Sequence, residues 1–505
     1  MGESRPDPNR RSVPAYEQPD NERPASAAPT EADLERETPS VRALDYSPPP
    51  LAHDPYLALR FPEYLRFSVG WIFAVVGHYM VSTAIGWEII QRTKSTLDLG
   101  YVAGVQALPL IFLALPAGLL ADRMDRRRLS AFTSILAGVC SAGLGLCSYR
   151  PGLLGWMYVL IMFNSAALIL GRPARAALLP RLVPTEAFTN ALTWNSTIFQ
   201  VASMSGPALA GLVIAISLKH FHSVKLAYFI DAASQVVYAA FIMTLPARGY
   251  LSEEPAEELA KDRPPTWSSL WDGVRFVSRT KLLLAAMTLD LFAVLLGGAV
   301  YLLPVFATDI LHVGSVGFGW LRAAEAIGAF IMALFIAHMP PMQRAGRSLL
   351  LAVAGFGICT LVFGLSRNFW LSFAALCCLG ACDNVSVVVR HTLVQILTPD
   401  VMRGRVSAVN QVFIGASNEL GGLESGLTAA AFSALATFFG ATAARANVLG
   451  PVWSVLFGGT GTLVVVAIVA AVWPQVLALG TLQDLKPVEP PAEETRPVAV
   501  GPAGS

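Results

Sequence analysis

Six carboxyl groups stand where a protein would use them to handle protons. Asp231, Asp290, Glu325, Asp383, Glu419 and Glu424 each interrupt a long apolar stretch. A charge at the centre of a bilayer costs roughly 2.5–3.5 kcal/mol on insertion scales, so such a group faces a cavity or a partner. Burial disfavours the ionised carboxylate, and a group that is readily protonated is what a proton carrier needs. Glu325 and Glu419 fall nearest the middle of their stretches and are the leading proton-coupling candidates, with Asp383 third. The competing use is a carboxylate neutralised in place, and Arg322, one turn from Glu325, has the spacing to do it. Asn164, Gln106, His78 and Asp290 are candidates for the wall of a polar cavity.

Other chemistries are excluded by what the sequence lacks. It carries no G-x4-G-K-[ST] loop to cradle a nucleotide, no H-E-x-x-H to hold zinc, and no G-x-S-x-G nucleophile turn. The six cysteines all lie in apolar stretches without zinc or disulfide spacing, and read as small packing residues. The expectation is a protein that is not an enzyme and needs neither cofactor nor metal. A net charge of +1 gives no electrostatic reason to bind nucleic acid.

The elements that must position these residues are membrane helices. The chain has 505 residues, 54% hydrophobic and only 14% charged, well below the roughly 25% charged of soluble domains. A membrane helix needs about 20 mostly apolar residues. On that measure twelve spans are predicted, near 63–91, 99–121, 129–149, 152–176, 188–218, 223–247, 281–307, 315–339, 347–366, 369–391, 405–438 and 451–474. Lys and Arg cluster in alternate loops, at Arg123–Arg128, Arg172–Arg181, Arg248–Lys281, Arg344–Arg347 and Arg403–Arg405. By the positive-inside rule those loops and both termini are expected on the cytoplasmic side. Trp87, near the other end of span 1, reads as an interface anchor.

The expected organisation follows. Residues 1–55 are a disordered cytoplasmic tail. Residues 56–248 form a first six-helix bundle and 281–478 a second, and 479–505 are a second disordered tail. The linker 249–280 ends in an amphipathic helix: Trp267, Leu270, Trp271, Val274 and Val277 share one face, with Asp272, Arg275 and Arg279 off it. That helix is expected to lie on the cytoplasmic membrane surface.

The two halves repeat at a constant spacing of 215 residues. Gly104 matches Gly319, Arg175 matches Arg390, Leu178 matches Leu393 and Leu182 matches Leu397. Pro184 matches Pro399, Asn195 matches Asn410, Gly206 matches Gly421 and Gly211 matches Gly426. Six spans separate the copies, so both halves run the same way through the membrane, as in parallel-repeat transporters.

One loop narrows the reading. LPAGLLADRMDRRR at Leu115–Arg128 resembles the signature between spans 2 and 3 of the major facilitator superfamily, carried here by Gly118, Leu120, Ala121, Asp122, Arg123, Arg126 and Arg127. Asp125 stands where that signature has a small residue. In the second half the acid and the arginines are gone: Asp122 matches Ala337, and Arg126–Arg128 match Pro341, Met342 and Gln343. With Gly171–Pro184, Val394–Arg405 and Phe229–Asp231, the chain is similar to the enterobactin-exporter and macrolide-efflux branch of that superfamily over roughly 60–475.

The resemblance implies an all-α membrane protein with twelve transmembrane helices in two six-helix bundles. It implies a secondary active transporter of the cell inner membrane, working as a monomer by alternating access. Its partners would be a small organic substrate, protons and the lipid bilayer. The expected activity is proton-coupled efflux of a drug-like or siderophore-like molecule. An importer or a lysophospholipid flippase on the same scaffold, or a non-transporting membrane sensor, are the alternatives. The family's cavity is lined by spans 1, 4, 7 and 10, which puts Asn164 in the best position. Several carboxylates with few deep basic residues lean towards neutral or cationic cargo and against a catecholate siderophore. Gly118, Asp122, Arg123, Arg126 and Arg127 are expected to form a latch, with Asp122 meeting Arg403 and Arg405 at the start of span 11, where the helix dipole adds about half a positive charge.

Overall fold

The computed structural model describes residues 54–246, 267–340, 342–482 and 485. The tail 1–53 and linker residues 247–266 lie outside the described residues, as does most of the segment after 482. Among the described residues all regular structure is helical. The spans are Pro62–Thr93, Thr96–Arg123, Arg126–Cys147, Leu154–Leu178, Thr185–Phe221 and Lys225–Met243, then Lys281–Ile310, Gly314–His338, Ala345–Leu365, Phe369–Leu397, Asp400–Phe438 and Ala443–Val472, numbered 1 to 12. Eleven are long and apolar enough to cross a membrane; span 11, though 39 residues long, is too polar to qualify by composition. That helix holds Arg403, Arg405, Glu419 and Glu424.

Local chemistry sets several boundaries. The Ser95 hydroxyl accepts the Asp98 N–H at the start of span 2, and the Asn368 side chain accepts those of Trp370 and Leu371 at the start of span 10. Spans 1 and 5 end on Lys94 and His222 in the left-handed conformation, at φ 51° and 53°. Large apolar side chains such as Phe112, Phe132, Trp156, Leu351 and Trp370 point outwards and exposed, a surface suited to lipid rather than water.

Spans 1–6 pack among themselves, with spans 1 and 3 against 6, span 4 against 2 and 3, and span 5 against 1. Spans 7–12 repeat the plan. The two groups meet along spans 2 and 11 and along spans 5 and 8. Both meetings are made by glycine. A β-carbon on Gly100 would stand 3.0 Å from the Gly426 Cα, and one on Gly319 would stand 2.9 Å from the Gly211 Cα. The repeated glycines are therefore contact points. Gly104 and Gly426 serve spans 2 and 11, while Gly319 and Gly211 serve spans 8 and 5. The third repeated pair seats helices inside each bundle: Gly206 lies on the Val76 carbonyl of span 1, and Gly421 on the Val294 carbonyl of span 7.

These close approaches fall in the half of the molecule away from the basic loops. Trp87 belongs to them. It is buried and stacks on Phe318 of span 8, with ring centroids 5.6 Å apart, so it seals the two bundles instead of anchoring at a lipid interface. At the basic end the same helices have parted: Asp122 is exposed, and nothing lies within 4 Å of a side chain built at Gly404.

Span 7 is not one continuous helix. It breaks at Gly297–Gly298, passes through a tight turn at Ala299–Leu302 and ends in a π turn, Phe306–Ile310. Any larger residue at the break would collide with Phe356 of span 9 and with Gly421 and Ser425 of span 11.

The linker helix, Trp267–Arg279, forms where expected and docks one strip on span 11. Gly273, Phe276 and Val277 are buried, with Gly273 lying on the Arg405 carbonyl of span 11, whereas Trp271 is 73% exposed. The expected boundary at 478 is overrun: Leu479 is buried, and the Gly480 carbonyl accepts the Ala345 N–H at 3.0 Å.

Replacing Gly319 by leucine is expected to hold the bundles apart at the sealed end. In a variant without native cysteines, a cysteine at Ser315 should then be labelled several-fold faster by an impermeant maleimide added from that side. Unchanged labelling would show that the glycine contact does not maintain the seal.

Candidate functional site

The break in span 7 builds the centre of the molecule. It turns Tyr301 towards span 11, where its hydroxyl donates to Glu419 Oε2 at 3.3 Å. Span 8 brings Arg322 to the same region, and its guanidinium donates across the bundle interface to Ser82 Oγ of span 1 at 3.1 Å. The Gln200 side chain also crosses the interface, donating to the Ala326 carbonyl at 3.3 Å. Arg322 is close enough for its charge to act on Glu325 and Glu419, although neither carboxylate lies within ion-pair distance. Gly380 and Gly328 seat spans 8 and 10 tightly against each other, and this brings the charge of Glu325 to bear on Asp383. The three expected proton-coupling residues are thus in one neighbourhood of the second bundle. His78 and Tyr79 face them from span 1, half-buried.

The first bundle has its own polar interior. Asp231 is 1% exposed, and its two oxygens accept from Ser141 Oγ (2.5 Å) and Gln235 Nε2 (3.1 Å). Asn164 joins this network and does not line the cavity. It is buried, and its amide donates to the Ala137 carbonyl (3.1 Å) and Ser141 Oγ (3.3 Å). Span 4 does run beside the centre, but Asn164 occupies the face turned towards span 3. A chain of Asn, Ser, Asp and Gln spread over three helices cannot be assembled from sequence spacing, because no two helices share a register before they pack. Gln106 remains half-buried on span 2, where its carbonyl accepts the Ser165 hydroxyl.

Asp290 is likewise withdrawn from the cavity. It forms a buried ion pair with Arg390, joining span 7 to span 10. A small cavity of about 10 Å³, room for a single water, separates Asp290 from Asp383, Cys382 and Ser386. The repeat partner of Arg390 also reaches the first helix of its own bundle by a different interaction. Arg175 stacks over the Trp71 ring at 5.1 Å and donates to the Leu168 carbonyl at 3.3 Å.

At the basic end, Asp125 explains its own departure from the loop signature. It is the N-cap of span 3, accepting the N–H groups of Arg127 (2.8 Å) and Arg128 (3.1 Å). Partial burial opposes ionisation, but those two donors and the Arg127 guanidinium hold the Asp125 carboxyl below its ordinary range. Arg127 also ties the loop to the Leu245 carbonyl at the end of span 6. Gly118 and Arg126 are half-buried, while Asp122, Arg123 and Arg403 are exposed. Arg405 pairs with Asp272 of the linker helix at 3.7 Å. Among the described residues Asp122 forms no ion pair with span 11 in this arrangement, yet the register is informative. Gly100 meets Gly426, Gly104 meets Leu423, and Gly415 meets Leu110. Continued to the basic end, this antiparallel pairing sets Asp122 opposite Gly404, between Arg403 and Arg405.

The transmembrane secretion effector family matches residues 58–454. The chain belongs to this family of the major facilitator superfamily. It is a membrane transporter, not an enzyme. The enterobactin exporter EntS of Shigella dysenteriae serotype 1 is 27% identical over 390 residues, covering 75% of this chain and 89% of that protein. Two solved structures share the fold. A bacterial homologue of the human lysosomal transporter Spinster, in an inward-facing unoccupied conformation, aligns with TM-score 0.63 at 15% identity, covering 84% of this chain and 98% of that one. The nucleoside transporter NupG aligns with TM-score 0.62 at 13% identity, covering 82% and 99%.

The buried pair gives the transporter a testable dependence. Removing one member of a buried ion pair leaves an uncompensated charge and costs about 3–5 kcal/mol. Asp290→Asn is therefore expected to lower the thermal unfolding temperature sharply in detergent. Asp290→Asn combined with Arg390→Gln should recover most of the loss. A double variant no more stable than the single one would mean that the pair does not act as a unit.

Proposed function

We propose that the transporter exports a small organic molecule, siderophore-like or drug-like, in exchange for protons by alternating access. It works as a monomer in the inner membrane. The basic end and both termini face the cytoplasm, in keeping with the positive-inside rule. The bundles 56–248 and 281–478 are the two moving parts, joined by the linker 249–280. Export is supported by the relative's printed name, enterobactin exporter.

The observation that carries the reading is the uneven closure. Glycine contacts and the Trp87–Phe318 stack seal one end, while Asp122 and the Arg403–Arg405 turn stand apart at the other, in register to meet. When the bundles rock, span 2 closes on span 11, and Asp122 engages the two arginines at a helix N-terminus, with Arg123, Arg126 and Arg127 anchoring the loop. The sealed end is then released. Glu325, Glu419 and Asp383 take up and release the coupling protons, as suits carboxyls in an apolar setting with Arg322 close by.

Direction and coupling are tested together in vesicles, with enterobactin and ethidium as the probe cargoes. A pH gradient should drive accumulation of one of them in inside-out vesicles. Glu325→Gln and Glu419→Gln should each reduce gradient-driven flux about tenfold or more while leaving substrate exchange intact. Asp122→Asn should insert normally, slow net transport and raise cysteine labelling at the basic end. Accumulation in right-side-out vesicles instead would identify an importer. Full gradient-driven flux in both glutamine variants would remove the coupling assignment.

A further inference from the structure

We infer that the central space contains an anion site, formed by Arg172, Arg175 and Arg322 around His78, suited to the carboxylate of an aromatic acid or a comparable organic anion. The inference rests on reading this space as the substrate path, and it reverses the lean towards cationic cargo drawn from the sequence.

The geometry is set by span 1. Arg175 lies over Trp71, and Arg322 is bonded to Ser82. His78 is between them on the same helix, about 10 Å beyond Trp71 and about 6 Å before Ser82 by helical rise. Arg172 is one turn from Arg175 on span 4, on the side nearer the membrane centre, and it is exposed. All three guanidiniums are near enough for their charges to act on the His78 ring. Two come from the first bundle and one from the second, so the site straddles the interface that must open and close.

None of the three has a carboxylate within ion-pair distance among the described residues, in contrast with Arg390 and its Asp290 partner. Glu325 and Glu419 act on Arg322 from the second bundle, but Arg172 and Arg175 lie on the far wall. Asp231, behind span 1 at Gly77, is held by Ser141 and Gln235. Three under-compensated guanidiniums in a half-dry setting attract an anion strongly and hold it by charge-assisted hydrogen bonds. The adjacent ring pair, Tyr79 edge-on to Phe199 at 5.9 Å, offers an aromatic surface beside the charge. The Arg322–Ser82 bond crosses the interface, so an anion that draws Arg322 away also loosens one tie between the bundles.

The test uses purified full-length transporter at low ionic strength, titrated calorimetrically with 1-naphthoate and with its neutral isostere 1-naphthamide. Naphthoate should bind about tenfold tighter or more, the equivalent of one charge-assisted hydrogen bond. That preference should collapse in Arg172→Gln and in Arg322→Gln, with naphthamide affinity unchanged. Should a variant fail to fold, wild-type protein supplies the same answer: naphthoate affinity should fall with added salt and naphthamide affinity should not. Equal affinity for the two ligands, or a preference untouched by both substitutions and by salt, overturns the site. A clear naphthoate preference in a protein without proton-driven export would support the site and defeat the export reading alone.

Discussion

The rest of the structure depends on how closely two helices can approach in lipid. Lipid tails are as apolar as leucine, so burying apolar surface gives helices no reason to associate there. Association relies on close packing, and close packing requires that side chains be absent. Gly100 against Gly426, and Gly211 against Gly319, supply that absence at the two symmetric meetings of the bundles. The seal at one end follows, and so does the gap at the other, because rigid helices touching at one end diverge from there. The Gly297–Gly298 break in span 7 obeys the same constraint, lying where spans 9 and 11 leave no room for a side chain, and it delivers Tyr301 to Glu419.

Within that frame, the two halves use equivalent positions differently. Arg390 is neutralised by Asp290 in a dry interior, whereas its repeat partner Arg175 rests on the Trp71 face and keeps its charge available. The loop signature is biased too, kept in the first half but for Asp125 and erased in the second. The first bundle therefore carries the basic wall and the loop acid, and the second carries the acidic wall and the arginine turn. Complementary charge favours their approach, and in the proposed cycle a proton or an anion arriving between them alters the balance.

Arg405 links this arrangement to the linker. In the open arrangement it pairs with Asp272 at 3.7 Å, on a helix whose buried face is Gly273, Phe276 and Val277. Both partners are substantially exposed, so the pair is worth about 0–1 kcal/mol. An interaction of that size suits the partner exchange that the proposed latch requires of Arg405, because a stronger one would fix the molecule in one state.

The sequence by itself determined the membrane class, the number and order of the spans, the parallel repeat and the loop signature; span ends were off by as much as eight residues, at the start of span 12. These are local or periodic properties: apolar length, cap residues, and identities recurring at one spacing. Tertiary structure alone decided which polar residues face the centre. Asn164 and Asp290 had the right depth but are turned inwards, to Ser141 and to Arg390, because the face of a helix that meets a neighbour is fixed by rotation about its axis. Arg175, which by position lies near the end of span 4, reaches the Trp71 ring of span 1 only once the first bundle is assembled. Depth in the membrane can be counted along a chain. The direction in which a side chain points is settled only by the helices packed around it.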